Sequence, residues 1–227
     1  MKMENKKGFL RSFVDGLFFN NPVLSLFLGL TLAVIATARV QVALAIGAIV
    51  VLVLLITNLI LSLLRKDLSK VTAAVVAAII SAGLSTIAMI LVGKFFGFLT
   101  QAESTKYSIA LLPIIPFVAV TSLVVQKSED ILSRDFTDTL GDTLGSALGF
   151  FLVLVLISLI REVLASGAIT FVKADTTVAQ LALWDASKFK IGMMGNTFGG
   201  LLLVGLFSGL HLAIISFIKK PAQKEEK

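Results

Sequence analysis

The sequence predicts an all-α integral membrane protein with six transmembrane helices, arranged as two inverted repeats of three helices each. Three observations predict this fold. The chain of 227 residues is 57% hydrophobic, and its mean hydropathy is +0.98. Several apolar stretches reach the roughly 20 residues that cross a bilayer as a helix, and they lack the alternation typical of membrane β-barrels. Two of these stretches resemble each other, as expected if one half of the chain repeats the other.

Six predicted spans follow one another along the chain. They cover residues 22–38, 42–64, 71–96, 109–125, 143–164 and 196–218. The first and fourth are short, and the fourth contains Pro113 and Pro116, which remove backbone donors from a helix. The predicted organisation is a cytoplasmic tail over 1–21, a first repeat over 22–107, a second repeat over 108–218 and a second cytoplasmic tail over 219–227.

The internal repeat involves the second and fifth spans. Residues 52–64 (LVLLITNLILSLL) align with residues 152–164 (LVLVLISLIREVL), and six positions are identical. Each half then holds three spans, and because three is odd, the second half enters the membrane from the opposite side. The halves are therefore expected to be inverted copies, in which interrupted helices mark the place to look for a site.

Charged and aromatic residues predict the orientation in the membrane. Thirteen of the 20 Lys and Arg residues fall on the side of the two termini, which places both termini in the cytoplasm. On the other side, the 165–195 connection contains Trp184, the only tryptophan, with Phe171 and Phe189. We expect this connection to act as an aromatic anchor at the membrane interface.

Several chemistries are excluded by composition. The chain contains no cysteine, so it offers no thiolate for a disulfide, a zinc site or an all-Cys iron–sulfur cluster. The one histidine, His211, cannot form a metal site alone, and no Gly-rich phosphate loop of the P-loop type is present. The net charge of +6 lies mainly in tails and short loops, where it indicates orientation and not nucleic-acid binding.

The candidate cavity or pathway lies at the two interrupted helices. The polar residues nearest their middle are Thr31 in the first half and Thr121 and Ser122 in the second. These hydroxyls could line a cavity for a ligand. Alternatively, they bond the preceding helical turn and serve only in packing.

Other candidate residues are polar or charged groups within the spans. Arg161 and Glu162 stand near the end of the fifth span and, as sequence neighbours, need not face each other. They could contact an ion or headgroup, or extend to the interface and a partner. Asn58 is expected to form a helix–helix hydrogen bond, and His211 is either a packing donor or a proton relay.

Asp142 belongs to a polar helix start that also carries small residues. It could face a cation path, or be an acid that the helix dipole favours near the N-terminus. Gly141, Gly145 and Gly149 recur at every fourth position, so they predict a face for close helix packing.

These segments resemble the Rnf/Nqr family of bacterial membrane subunits over essentially all six spans. The motifs that carry the likeness are Asn20-Asn21-Pro22-Val23-Leu24 through Phe27-Leu28-Gly29-Leu30, the stretch from Pro116 to Val125, and Asp142 with Gly149-Phe150-Phe151-Leu152 running into Arg161-Glu162 and Gly167. The stretch before Asn20 is closer to the RnfE/NqrD branch, and "FSGL" at 207–210 is closer to the RnfA/NqrE branch.

The chain departs from the family at the broken helices. The family places a cysteine in each, in patterns like LGLCP and TNC, and two partner subunits together hold a [2Fe–2S] cluster. Here the positions are Leu28-Gly29-Leu30-Thr31 and Val120-Thr121-Ser122. Hydroxyls do not replace thiolates as iron ligands, so we predict no cofactor for this chain itself.

The resemblance implies a membrane subunit of an ion-translocating electron-transport complex, at most a non-catalytic subunit of a redox-driven translocase. The implied location is the bacterial inner membrane. The implied partners are a homologous membrane subunit, in a heterodimer or homodimer, together with flavin or iron–sulfur redox subunits and the lipid bilayer. The alternative is an inverted-repeat transporter of a small molecule or ion, repurposed after the cluster was lost.

Overall fold

A computed structural model describes residues 8–95, 113–119, 121–172, 178–184 and 190–219. These residues form seven α-helices: α1 Phe9–Val14, α2 Leu30–Ala36, α3 Val40–Leu64, α4 Lys70–Phe95, α5 Ser122–Ile131, α6 Phe136–Ser166 and α7 Thr197–Lys219. Two strands, β1 Ala168–Val172 and β2 Val178–Ala182, pair as an antiparallel hairpin. A π-helical turn, Asp15–Phe19, continues α1, and 3₁₀ turns cover Ile115–Val118 and Gly192–Gly195.

Four of the described helices, α3, α4, α6 and α7, are long and apolar enough to cross a membrane. They correspond to the second, third, fifth and sixth predicted spans. The predicted architecture of six spans is not confirmed. The N-terminus of α6 was predicted too late, at residue 143. The helix begins at Phe136, after Asp135 in extended conformation. The prediction was late because the first turns of this helix are polar, and apolar content alone does not detect them.

The first predicted span, 22–38, is not one continuous helix. Only α2 is helical within it, and its seven residues extend about 10 Å. Asn21 Oδ1 accepts hydrogen bonds from the amides of Val23 and Leu24, each at 3.1 Å, which forms a turn, and Gly29 has a φ of 66°. Residues 20–29 therefore separate α2 from the helix over 9–19, which lies within the predicted cytoplasmic tail 1–21.

The fourth predicted span, 109–125, is also interrupted in its described part. A 3₁₀ turn at Ile115–Val118 precedes Thr121, whose backbone is extended, and α5 then continues to residue 131. The helix therefore runs six residues beyond the predicted end of the span. Residues 109–112 and 120 of this prediction lie outside the described residues.

The centre of the fold is an antiparallel pair of long helices, α3 and α6. Asn58 Nδ2 donates to Thr143 Oγ1 at 3.0 Å, and the amide of Val40 donates to Glu162 Oε2 at 2.8 Å. Residue numbers thus rise along α3 as they fall along α6. The short helices pack against the outer long ones, α2 against α7 and α5 against α4.

The face of Gly141, Gly145 and Gly149 receives the N-terminal helical segment. A Cβ at any of these glycines would collide with atoms of residues 9–21, mostly backbone. The close-packing face predicted from their spacing is therefore used by α1 and its π-helical continuation. This contact orders residues 9–19 against α6.

The connection between α6 and α7 adds a β-hairpin to the predicted all-helical fold. Residues 165–195 were predicted only as a connection, and the two strands were missed because apolar residues in a short connection carry no signal that distinguishes a strand from a loop. Trp184 lies just after β2 and contacts Gly167 at the end of α6. Phe189, the other predicted anchor residue, lies outside the described residues.

Candidate functional site

The two interrupted helices meet at Gly29 and Ser122. The amide of Gly29 donates to Ser122 Oγ at 3.0 Å. Gly29 needs its left-handed backbone here, and an added Cβ would lie 2.9 Å from Cε2 of Phe150. The N-terminal end of α2 is thereby fixed against the N-terminal end of α5.

The hydroxyl residues at this meeting point differ in exposure. Thr31, the second residue of α2, and Ser122, the first residue of α5, are exposed on the surface of the chain. Thr121 is buried, and its Oγ1 donates to the carbonyl of Val118 at 3.0 Å. Two of the three predicted cavity residues therefore face outward, where a second subunit or lipid can reach them.

His211 on α7 contacts the break in the first helix. Its Nε2 lies 3.1 Å from Ser25 Oγ, and Ser25 Oγ donates to the carbonyl of Phe19 at 3.0 Å. Because the serine hydrogen is used by that carbonyl, the imidazole nitrogen is the donor to Ser25. The histidine thus fixes the 20–29 segment to α7.

Arg161 is buried and binds the C-terminal end of α2. Its guanidinium donates to the carbonyl of Val34 at 2.6 Å and to Thr37 Oγ1 at 3.0 Å. It also donates to the carbonyls of Met194 at 2.7 Å and Asn196 at 2.8 Å, before α7. A positive charge at a helix C-terminus is favoured by the helix dipole, so Arg161 holds α2 and α7 together.

Glu162 is also buried, and it binds the start of α3, whereas Arg161 binds the end of α2. Its carboxylate accepts from the amide of Val40, the first residue of α3, and from the amide of Thr170 in β1 at 2.9 Å. Thr170 Oγ1 donates to the same carboxylate oxygen. A negative charge at a helix N-terminus is the complementary favourable case, and Glu162 thereby links α3 to the hairpin.

Asp142 is buried in the second turn of α6 and pairs with two cations. Its carboxylate lies 2.7 Å from Lys127 Nζ, which is equally buried, and 3.0 Å from an Arg134 guanidinium nitrogen. The Arg134 side chain is one-third exposed. The carboxylate therefore connects α5 to α6 at the end of the fold near Arg65, which donates to the carbonyl of Arg134.

A patch of polar residues lies between α3 and α6, next to Asp142. Asn58 bonds Thr143, while Ser62 and Thr139 lie one turn farther along their helices in the same register. Within the described residues, several buried oxygens have no hydrogen-bond partner: Asn58 Oδ1 and the hydroxyls of Thr57, Ser62, Ser85, Thr139, Ser146 and Ser208. Ordered water is the usual partner for such atoms.

The predicted site residues thus form separate groups. Thr31 and Ser122 stand at the meeting of the broken helices, Arg161 and Glu162 at the α2–α3 turn, and Asp142 at the other end of α6. The partners of these groups were not predicted from the sequence: Ser25, Thr37, Lys127, Arg134 and Thr170. No signal in the sequence indicated Lys127, because it stands among polar residues of α5, and its burial against Asp142 is visible only in the structure.

The residues at the meeting point do not fit a cysteine-ligated cluster. Neither Thr31 nor Ser122 is a thiolate, and Ser122 Oγ already accepts a hydrogen bond from Gly29. Across the described ranges there is no group of three His, Asp or Glu side chains that could hold a metal ion. A surface groove of about 930 Å³ runs along α1 and includes Arg11 and Asp15, and none of the predicted site residues is among those that line it.

Comparison with protein-family models identifies a family for this chain. The family described as "Rnf-Nqr subunit, membrane protein" matches the chain over residues 9–214. No curated protein matches the chain. The matched range contains both interrupted helices, the central helix pair and the hairpin.

Proposed function

We propose a function from one premise: this chain belongs to the Rnf-Nqr family of membrane subunits. In our proposal it is a non-catalytic membrane subunit of an ion-translocating electron-transport complex, and it carries no cysteine-ligated [2Fe–2S] cluster of its own. It sits beside a homologous membrane subunit in the bacterial inner membrane, with flavin or iron–sulfur redox subunits as further partners.

The observation that carries this proposal is the contact between the two broken helices. They meet through the Gly29–Ser122 hydrogen bond, and the family resemblance expects cysteines at Ser122 and at Thr31, two residues after Gly29. Thr31 and Ser122 are both exposed, as expected if a second subunit completes the site. A site shared between subunits explains why polar side chains remain on an otherwise apolar surface.

The packing supports an inverted repeat for this subunit. Residues 52–64 and 152–164, which match at an offset of 100, lie on α3 and α6, and these helices run antiparallel. Two copies related by an inverted repeat must run in opposite directions. Each short helix packs on the last long helix of the other half, α2 on α7 and α5 on α4.

Two arginines make equivalent contacts in this arrangement. Arg161, near the end of α6, donates to the carbonyl of Val34 and to Thr37 Oγ1 at the end of α2. Arg65, just after α3, donates to the carbonyl of Arg134 in the turn after α5. Each central helix therefore uses an arginine to hold the turn that follows the short helix of the other half.

Affinity purification from native membranes tests the proposed function. The tagged chain is extracted in mild detergent, and co-purifying proteins are identified together with their flavin and iron. The proposal expects flavin or iron–sulfur subunits and a homologous membrane subunit. A preparation containing only copies of this chain, from cells that express the redox subunits, would contradict it.

A second function, transport of a small molecule or ion, is favoured by one feature. Both family cysteine positions carry hydroxyls beside interrupted helices, which are common elements of transporter sites. In that case Thr31→Val and Ser122→Ala would abolish binding of the transported solute, while Thr86→Val, at an exposed hydroxyl on α4, would not. Unchanged binding in both site variants would eliminate this second function.

A further inference from the structure

The β-hairpin between α6 and α7 has two chemically different faces. Thr170 points toward the helices, where its amide and hydroxyl bond Glu162, and Gln180 is its direct partner on β2. Because side chains alternate along a strand, the neighbouring pairs Ile169 with Leu181 and Phe171 with Ala179 lie on the opposite, outward face.

The outward face is apolar and open. Phe171 is 38% exposed and Leu181 60%, and Leu183, two residues farther along, is 52% exposed. A hairpin with one face in water normally alternates with polar residues outward. Here Thr170 is buried against the helices and the apolar residues face away, so another apolar phase must cover this outward face.

The base of the hairpin is fixed at the end of a membrane-spanning helix. The amides of Leu183 and Trp184 both donate to the carbonyl of Gly167, which ends α6. The Trp184 indole covers Gly167, with Nε1 3.0 Å from where a Cβ would be. Strands of five residues reach about 17 Å from this point, so the hairpin stays near the membrane surface.

We propose that the outward face of this hairpin lies in the lipid headgroup region, at the membrane face where α6 ends. Phe171, Leu181, Leu183 and Trp184 insert there as an interfacial anchor. A tryptophan held at the end of a spanning helix matches the depth at which indole rings are enriched in membrane proteins. The covering phase is lipid and not a protein, because the hairpin base is fixed at the level where the bilayer changes from hydrocarbon to headgroups.

Depth measurement with single cysteines tests this proposal, and the cysteine-free chain gives no background. Leu181→Cys is labelled with an environment-sensitive fluorophore in protein reconstituted into phosphatidylcholine–phosphatidylglycerol vesicles. Leu206→Cys, exposed midway along α7, and Lys66→Cys, exposed in the turn after α3, are the deep and aqueous controls. Quenching is compared between iodide and lipids carrying a nitroxide near the headgroup or deep in the acyl chain.

The label at Leu181 is expected to be quenched most by the shallow nitroxide and several-fold less by iodide than the label at Lys66. Native Trp184 fluorescence should show the same preference without any substitution. Labels at Leu181 and Lys66 with equal iodide quenching would overturn the proposal. The proposal would also be overturned if, in the complex purified from native membranes, neither iodide nor the nitroxide lipids quenched the label at residue 181, since a protein would then cover the hairpin.

Discussion

At the residue scale, the adjacent side chains of Arg161 and Glu162 stabilise the two ends of the turn between α2 and α3. Arg161 donates to the carbonyl of Val34 near the end of α2, and Glu162 accepts from the first amide of α3. The turn between these helices, residues 37–39, is thus held by charges that match the dipole of each helix end. The pair forms no ion pair with itself, as the side-chain directions on a helix require.

Replacing Arg161 should destabilise the protein strongly. Arg161→Gln removes charged donors from three carbonyls, two of them in buried hydrogen bonds, at a cost of roughly 2–4 kcal/mol. The measurement is thermal unfolding of the purified protein in detergent. Lys190→Gln, at an exposed position, is the matched control and should leave the unfolding temperature unchanged. Equal stability of Arg161→Gln and wild type would disprove the role of the guanidinium in fixing α2.

The contributions of Asp142 and Lys127 to the stability of the protein should depend on each other. Asp142→Asn leaves the Lys127 ammonium buried without a full counter-charge, which costs about 3–5 kcal/mol. The double variant Asp142→Asn with Lys127→Met removes both charges and should recover most of that loss. Unfolding temperatures of the two single variants and the double variant form the cycle. Additive losses would show that the ion pair does not link α5 to α6.

At the element scale, the local sequence determines where helices break. Pro22 lacks a backbone donor, the Asn21 side chain caps a turn, and Gly29 adopts a left-handed conformation before α2. In the second half, extended Thr121 starts α5 after the 3₁₀ turn. These interruptions bring Gly29 and Ser122 into contact, which two continuous helices could not do at the same points.

Helix packing gives a prediction with an internal control. Gly145→Ala places a methyl group into the backbone of Phe13, so α1 must move from α6 and the protein should unfold at a lower temperature. Gly209→Ala, on α7, meets nothing within 4 Å among the described residues. It should be neutral or slightly stabilising, since alanine favours a helix by about 1 kcal/mol over glycine. Equal unfolding temperatures for these two variants would contradict the packing of α1.

Much of the fold could be predicted because lipid requires long apolar helices. The predicted ranges for α3, α4 and α7 agree with the structure to within two residues. The polar first turns of α6 and the hairpin were missed because apolar content alone does not report them. For the site, the shortness of the first and fourth spans and the prolines of the fourth indicated the helix breaks, but the partners of Asp142 and Arg161 depend on contacts across α5, α2 and α7.

At the scale of the whole molecule, the two ends of the central helix pair face opposite sides of the membrane. Arg65 contacts the turn at Arg134 at one end. At the other end, the amide of Ile191 donates to the carbonyl of Leu164 near the hairpin. The excess of lysine and arginine residues on the side of Arg65 predicts that this end faces the cytoplasm.

Cysteine labelling tests this orientation. A membrane-impermeant maleimide on intact cells should label Lys190→Cys and not Lys66→Cys, because these exposed residues lie at opposite ends of the helix pair. Lys66→Cys should react only after permeabilisation. The reverse pattern would invert the orientation, and labelling of both in intact cells would contradict the placement of the two ends on opposite sides.

The most direct test of the central claim, that Thr31 and Ser122 occupy the family's cluster positions, is iron binding after both are changed to cysteine. Complexes are purified from native membranes, and iron per subunit is measured together with the electron paramagnetic resonance spectrum after reduction with dithionite. The Thr31→Cys/Ser122→Cys complex should gain iron and a [2Fe–2S] signal over wild type, whereas Thr86→Cys on α4 should gain neither. A double variant that assembles normally but binds no more iron than Thr86→Cys would contradict the claim.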